Sequence, residues 1–106
     1  VEDDMLASFS IVPMGVGEEI KEWIADLVPI IEKSGLPHVM GAMQTTLEGE
    51  PEQVIDVIMA CHRSMRTHAP RVLTHIVIDD RAGAVGRLQG KVRDVEAILG
   101  RKLSHE

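Results

Sequence analysis

Arg71-Val72-Leu73-Thr74-His75-Ile76-Val77-Ile78-Asp79 decides the fold. Four β-branched residues, Val72, Thr74, Ile76 and Ile78, recur at every second position, while Leu73, His75, Val77 and Asp79 fill the positions between. A period of two is that of a strand whose side chains point alternately to opposite faces of a sheet, and the first set makes the more apolar face. No helix of this composition would gather the β-branched set on one side.

Outward from this strand the periodicity changes. Beyond Asp80-Arg81 and a loop containing Gly83 and Gly86, the positions Leu88, Val92, Val95 and Leu99 predict a helix over 87–99. Upstream, Val54, Ile58, Cys61 and Met65 form one stripe of a helix from Pro51 to about His68. Glu48-Gly49-Glu50-Pro51 reads as the entry to that helix, with acids favoured by the positive end of the helix dipole and proline tolerated in the first turn. Before it, His38–Met40 and 43–47 are expected to be two short strands joined tightly around Gly41.

Residues 18–34 carry Ile20, Ile24, Leu27 and Ile31 at helical spacing, with Gly35 as the stop. Pro29 lacks the N–H that would bond the carbonyl of Ala25, so the expected helix is bent there. Residues 5–12 alternate as Met5, Ala7, Phe9 and Ile11 against Leu6, Ser8, Ser10 and Val12, a strand closed by Pro13 and Gly15-Val16-Gly17. Val1–Asp4 is expected to be a disordered acidic lead outside a single domain over 5–103, with Met5 as a natural start.

The resulting order, β-α-β-β-α-β-α, is that of a ferredoxin-like α+β sandwich: a βαββαβ antiparallel sheet with helices on one face, extended by a C-terminal helix. The second sheet face, carrying Leu6, Val12, Leu73 and Val77, is then expected to lack a helical cover. Self-association is the economical way to remove such an apolar patch from water.

Composition excludes several functions. The chain has 106 residues with 44% hydrophobic and 26% charged, which suits one domain with its own core. A net charge of −6 with only Phe9 and Trp23 as aromatics offers neither a phosphate-binding surface nor a stacking platform, so no nucleic-acid partner is expected. No apolar run approaches a membrane span, so no membrane partner is expected. The lone cysteine, Cys61, has no intrachain disulfide partner and falls on the core stripe of its helix, where a thiol behaves as a small hydrophobe; a reducing, cytoplasmic location is expected.

Catalytic and metal signatures are equally sparse. His38, His62, His68, His75 and His105 include no i, i+4 pair, and Asp79-Asp80 lacks an oxygen-rich loop. No metal site and no cofactor are expected. Ser8 and Ser10 are not set in a nucleophile elbow, Gly15-Val16-Gly17 lacks the third glycine of a dinucleotide fingerprint, and there is no P-loop. The polar groups that do gather, Gln44, Thr45, Thr46 and Glu48, sit where a strand meets a helix. Such a junction is either turn chemistry or the wall of a small-molecule pocket.

Several segments, in order, decide between these. Met5-Leu-Ala-Ser-Phe-Ser-Ile-Val-Pro-Met-Gly-Val-Gly17, Glu32-Lys-Ser-Gly-Leu-Pro37, Met43-Gln-Thr-Thr-Leu-Glu-Gly-Glu50 and Arg71 to Arg81 together make a chain that resembles the small thiamine-binding, YkoF-like family. The resemblance runs from about Met5 to Leu103, and Thr45-x-x-Glu48-Gly49-Glu50 is its most specific element. It implies a ferredoxin-like subunit, assembled as dimers or tetramers, that binds thiamine or its hydroxymethylpyrimidine part without transforming it. Carried onto this chain, it nominates Ser10, Thr45, Thr46, Glu48 and Asp79 as ligand-binding groups. Their chemistry suits an aminopyrimidine, which offers an amine donor and ring-nitrogen acceptors, and a cationic thiazolium, which favours nearby acids. Strand alternation places Thr45 with Met43 and Leu47, and Thr46 with Glu48 on the opposite face. Two segments differ from the common family pattern: Ala42-Met43-Gln44-Thr45 stands where members often have Pro-Met-Gly-Thr, and Val77 where they have a lysine. Stacking on a pyrimidine would fall to Phe9 or Trp23. The other classes weighed are a structural or regulatory module that docks a protein on the open sheet face, and a small enzyme with a sheet-face cavity.

Overall fold

The computed structural model describes residues 4–17, 20–83 and 86–103, with the backbone alone at Lys91. Its elements are β1 (Met5–Met14), α1 (Lys21–Ala25), α2 (Leu27–Lys33), β2 (His38–Met40), β3 (Thr45–Gly49), α3 (Pro51–Arg66), β4 (Arg71–Asp79) and α4 (Arg87–Leu99). One antiparallel sheet has the order β2-β3-β1-β4, as in a ferredoxin-like fold. The boundaries of β4 and α4 are those their periodicities predict.

Register sorts the faces as the alternation requires. Ala7 lies between Leu47 and Ile78, and Phe9 between Thr45 and Ile76, on one face. That face meets α2 and α3: Leu27 and Ile31 from the first and Val54, Ile58, Cys61 and Met65 from the second close the core with Met5, Ala7, Phe9 and Leu47. Burying such side chains contributes about 1.5–3 kcal/mol each, so this layer is the main source of stability. Cys61 belongs to it: its side chain is fully buried, and loss of hydration pushes the thiol up to about 11.

Three boundaries differ from expectation. The helix expected across 18–34 is divided, with Asp26 between α1 and α2. Restarting at Leu27 puts Pro29 in the first turn of α2, where a missing N–H costs no intrahelical bond. Glu18 and Glu19, the expected helix opening, lie outside the described residues, as do Val1–Asp3 of the acidic lead. β1 continues through Pro13 to Met14, since β3 pairs only with Met5–Phe9 and leaves the later half of β1 bonded to β4 alone. Finally, β3 starts at Thr45, after a turn in which the Gly41 amide donates to the Gln44 carbonyl (2.9 Å), and runs to Gly49. Glu48 is thus a strand residue, and Glu50, in extended conformation, precedes Pro51 at the entry of α3. That helix ends at Arg66, slightly before His68.

The second sheet face is not bare. α4 crosses one end of it, over β3, and forms a cleft there with Leu6, Ser8, Thr46, Val77 and Asp79; Val77 stays 68% exposed, and Val12 and Leu73 at the other end are exposed as well.

Candidate functional site

The space between α4 and this sheet face is a cleft of about 440 Å³, within the range of small-molecule sites. Its floor comes from neighbouring strands: Leu6 and Ser8 from β1, Val39 from β2, Thr46 from β3, Val77 and Asp79 from β4. Its roof is the first part of α4, with Arg87, Leu88, Gln89 and Val92. Apolar side chains dominate, so the few polar groups set orientation.

Ser8 and Thr46 are cross-strand neighbours, and their hydroxyl oxygens lie 2.7 Å apart. One hydroxyl donates to the other, which leaves one proton and several lone pairs for a third group. The pair can therefore meet a molecule that presents both a donor and an acceptor. Asp79 adds a carboxylate to the same cleft. Arg87 adds a guanidinium whose terminal nitrogen donates to Asp94 at 2.9 Å and whose Nε is buried without a hydrogen-bond partner among the described residues.

Glu48 does not line the cleft but adjoins it through Arg87, and it is only 4% exposed. Its Oε2 accepts a 2.6 Å hydrogen bond from the backbone N–H of Arg87, the first residue of α4. Gly86, at φ 68°, has no side chain with which to cap that helix, so a carboxylate from β3 takes the role, with the helix dipole favouring its charge. Glu48 thereby ties the roof to the floor.

The nominated residues divide between two places. Thr46 and Asp79 line the cleft and Glu48 braces it. Ser10 and Thr45 instead line a separate crevice of about 240 Å³ beside Phe9, Ile24 and Gln44. The departures from the family pattern divide likewise, Val77 in the cleft and Ala42 and Gln44 in the crevice. Neither aromatic serves the cleft: Phe9 is in the core, and Trp23 stacks on the imidazole of His68 with ring centroids 5.0 Å apart. Ser8 adds to the residues the sequence nominates: alternation places it on the face of Thr46, and only the β1–β3 register shows that the two hydroxyls meet. The contribution of Arg87 depends on where α4 folds back, which no local pattern signals.

Two other histidines have structural contacts. His62 Nδ1 lies 2.6 Å from the Thr74 hydroxyl, and His38 Nδ1 lies 2.9 Å from the Leu36 carbonyl. Among the described residues no group of three or more histidine, cysteine or acidic side chains is placed to hold a metal ion. No described helix is long and apolar enough to cross a membrane.

A ferredoxin-like sheet with a polar-floored cleft under an added helix defines a class of small α+β proteins, and comparison with known proteins narrows it. The sequence profile of the thiamine-binding protein family matches residues 7–96, and the chain belongs to that family. A UPF0045 protein of Mycobacterium bovis is 35% identical over 90% of this chain and 94% of its own length. Among solved structures, a hypothetical protein of Methanocaldococcus jannaschii superposes with a TM-score of 0.80 at 23% identity, covering 87% of this chain and 95% of the other. A candidate thiamine biosynthesis/salvage protein of Thermotoga maritima has a TM-score of 0.75 at 26% identity, covering 87% of this chain and 98% of its own.

Proposed function

We propose that this chain binds thiamine or a related hydroxymethylpyrimidine in the cleft beneath α4, without transforming it, as a cytoplasmic protein that assembles with copies of itself. The observation that carries the reading is the Ser8–Thr46 hydroxyl pair in a mainly apolar cleft of a thiamine-binding family member. An aminopyrimidine has the matching edge, its amine donating to a hydroxyl oxygen and a ring nitrogen accepting the remaining hydroxyl proton. Arg87 Nε supplies a further buried donor, and Asp79 favours a cationic ring. Leu6, Leu88 and Val92 face the apolar body of the ligand, with Val77 at the open side of the cleft. Among the described residues no activated nucleophile or metal set accompanies them, and the reading is one of capture rather than reaction.

Titration calorimetry with thiamine and with hydroxymethylpyrimidine tests this. Saturable heat is expected with at least one of them, and Thr46→Val is expected to weaken binding about tenfold, the worth of one net hydrogen bond. Absence of heat with both ligands at millimolar concentration refutes the assignment.

A further inference from the structure

Gly90 lies inside α4, where glycine is disfavoured about fivefold relative to alanine. Its backbone does not call for glycine. Gly86 and Gly100, which flank the helix, have φ of 68° and 71°, whereas Gly90 has no positive φ and its N–H makes an ordinary helical bond to the Gly86 carbonyl at 3.1 Å. What the position lacks is a side chain where the Arg87 guanidinium lies. A Cβ at Gly90 would stand 2.9 Å from Arg87 Nη1, 3.3 Å from Cζ and 3.7 Å from Nε, the first of these well inside ordinary contact.

Arg87, Gly90 and Asp94 follow at intervals of three and four, so they share one face of the helix. The guanidinium rests on the bare backbone at Gly90, and its Nη2 donates to Asp94 at 2.9 Å. The Asp94 side chain is 65% exposed, so this pair adds little stability by itself and serves to direct the guanidinium. Nε is thereby held in a buried place where no described residue accepts its N–H. A buried donor without an acceptor is costly to keep, and Arg87 lines the cleft.

We propose that Gly90 is a positioning residue for the cleft: by leaving room for the Arg87 guanidinium, it fixes Nε–H as a donor to an acceptor atom of the bound molecule. A guanidinium neither accepts a hydrogen bond nor gives up its proton, so this position selects a ligand with a lone pair there, a ring nitrogen or a hydroxyl oxygen, and rejects an amine. The use of the donor rests on the cleft being the ligand site; the seat itself does not. Because the guanidinium is the far end of a flexible side chain, a methyl group at Gly90 displaces it without disturbing the fold. Gly90→Ala therefore separates helix stability from binding.

Nitrogen-15 NMR, calorimetry and hydrogen exchange of the wild type, Gly90→Ala, Arg87→Ala and the double variant test this. Arg87→Ala keeps the backbone amide that Glu48 holds. The Arg87 Nε–H signal, assigned by its disappearance in Arg87→Ala, is expected to exchange slowly with water in the wild type and rapidly in Gly90→Ala. Affinity for thiamine or hydroxymethylpyrimidine is expected to fall about tenfold in each single variant and no further in the double variant, since both changes remove the same bond. Opening of α4 should be about fivefold rarer in the double variant than in Arg87→Ala, the helix preference of alanine emerging once the guanidinium is gone. A glycine with a merely structural role would raise opening in both backgrounds when replaced. Equal protection of Nε–H in the wild type and Gly90→Ala overturns the proposal, and so does a further loss of affinity in the double variant. No heat with the wild type overturns the assigned ligand, and the Nε–H comparison then decides the seat alone.

Discussion

Replacing Glu48 by alanine should loosen α4 without unfolding the domain. The carboxylate makes a charge-assisted hydrogen bond to the first amide of α4, and it does so from a buried position. Such a bond contributes about 1.5–3 kcal/mol, and the dipole term of the helix N-terminus is part of the same interaction, so about 2 kcal/mol is the loss expected in Glu48→Ala. Where that loss appears depends on packing. On α4, Val95 and Leu99 are about half exposed and Ile98 is 85% exposed, whereas the β-sheet and α2–α3 layer holds the fully buried core. The weakest unit should open first, so a loss of about 2 kcal/mol becomes a roughly thirtyfold rise in local opening of α4. Hydrogen exchange followed by mass spectrometry of the peptide covering 87–99 reads this directly, with the α3 peptide as internal control. Glu48→Gln, which keeps an acceptor but not the charge, should show an intermediate increase. Unchanged exchange of α4 in both variants would refute the bracing role, and lost thiamine binding with unchanged exchange would make Glu48 a ligand group instead.

Two other outcomes follow from the core. Burial pushes the Cys61 thiol from 9.0 to about 11, so between these values the unfolded chain gives up a proton that the folded chain keeps. This contribution is fully present below pH 9 and is lost as pH rises toward 11. Its slope is about 1.4 kcal/mol per pH unit within that window. Urea titrations at several alkaline pH values should show the slope shallower in Cys61→Ala, whose stability is lower throughout because of the cavity; equal slopes refute the assignment. Gly49→Ala should destabilise by about 1–3 kcal/mol, because the added Cβ would lie 2.7 Å from Leu36 Cδ2 and 3.5 Å from Val54 Cγ2 in a packed junction. A urea midpoint within error of wild type would contradict it.

The parts of the fold legible in the sequence are those with a local cause. Alternation in β1 and β4 arises from the pleat itself, so it marks both the strands and their faces, and the α3 stripe marks the side that reaches zero exposure. β3 runs two residues past its expected end, to Gly49, because acid followed by proline resembles a helix entry. Glu48 does favour a helix dipole, but that of α4, which begins 39 residues further along. The sequence predicts one helix bent at Pro29; instead it breaks at Asp26, since the chain can satisfy a proline by restarting the helix just before it. Of the site, Thr46 and Asp79 are on the predicted face, while Ser8 and Arg87 became visible only through strand register and the return of α4. Those are long-range facts, and no window of neighbouring residues contains them.

The stacking of Trp23 on His68 has an optical consequence. With one tryptophan and no tyrosine, the indole dominates near-ultraviolet absorbance and intrinsic emission. Its plane lies within 4° of the imidazole, and Asp26 stands 3.6 Å from that ring's Nε2. The chromophore therefore reports the junction of α1 with the end of α3, on the layer opposite the cleft. It will follow unfolding of the helical core through the loss of this stack, yet a ligand entering beneath α4 will leave it dark to the event, and binding must be read by heat or by a fluorescent ligand.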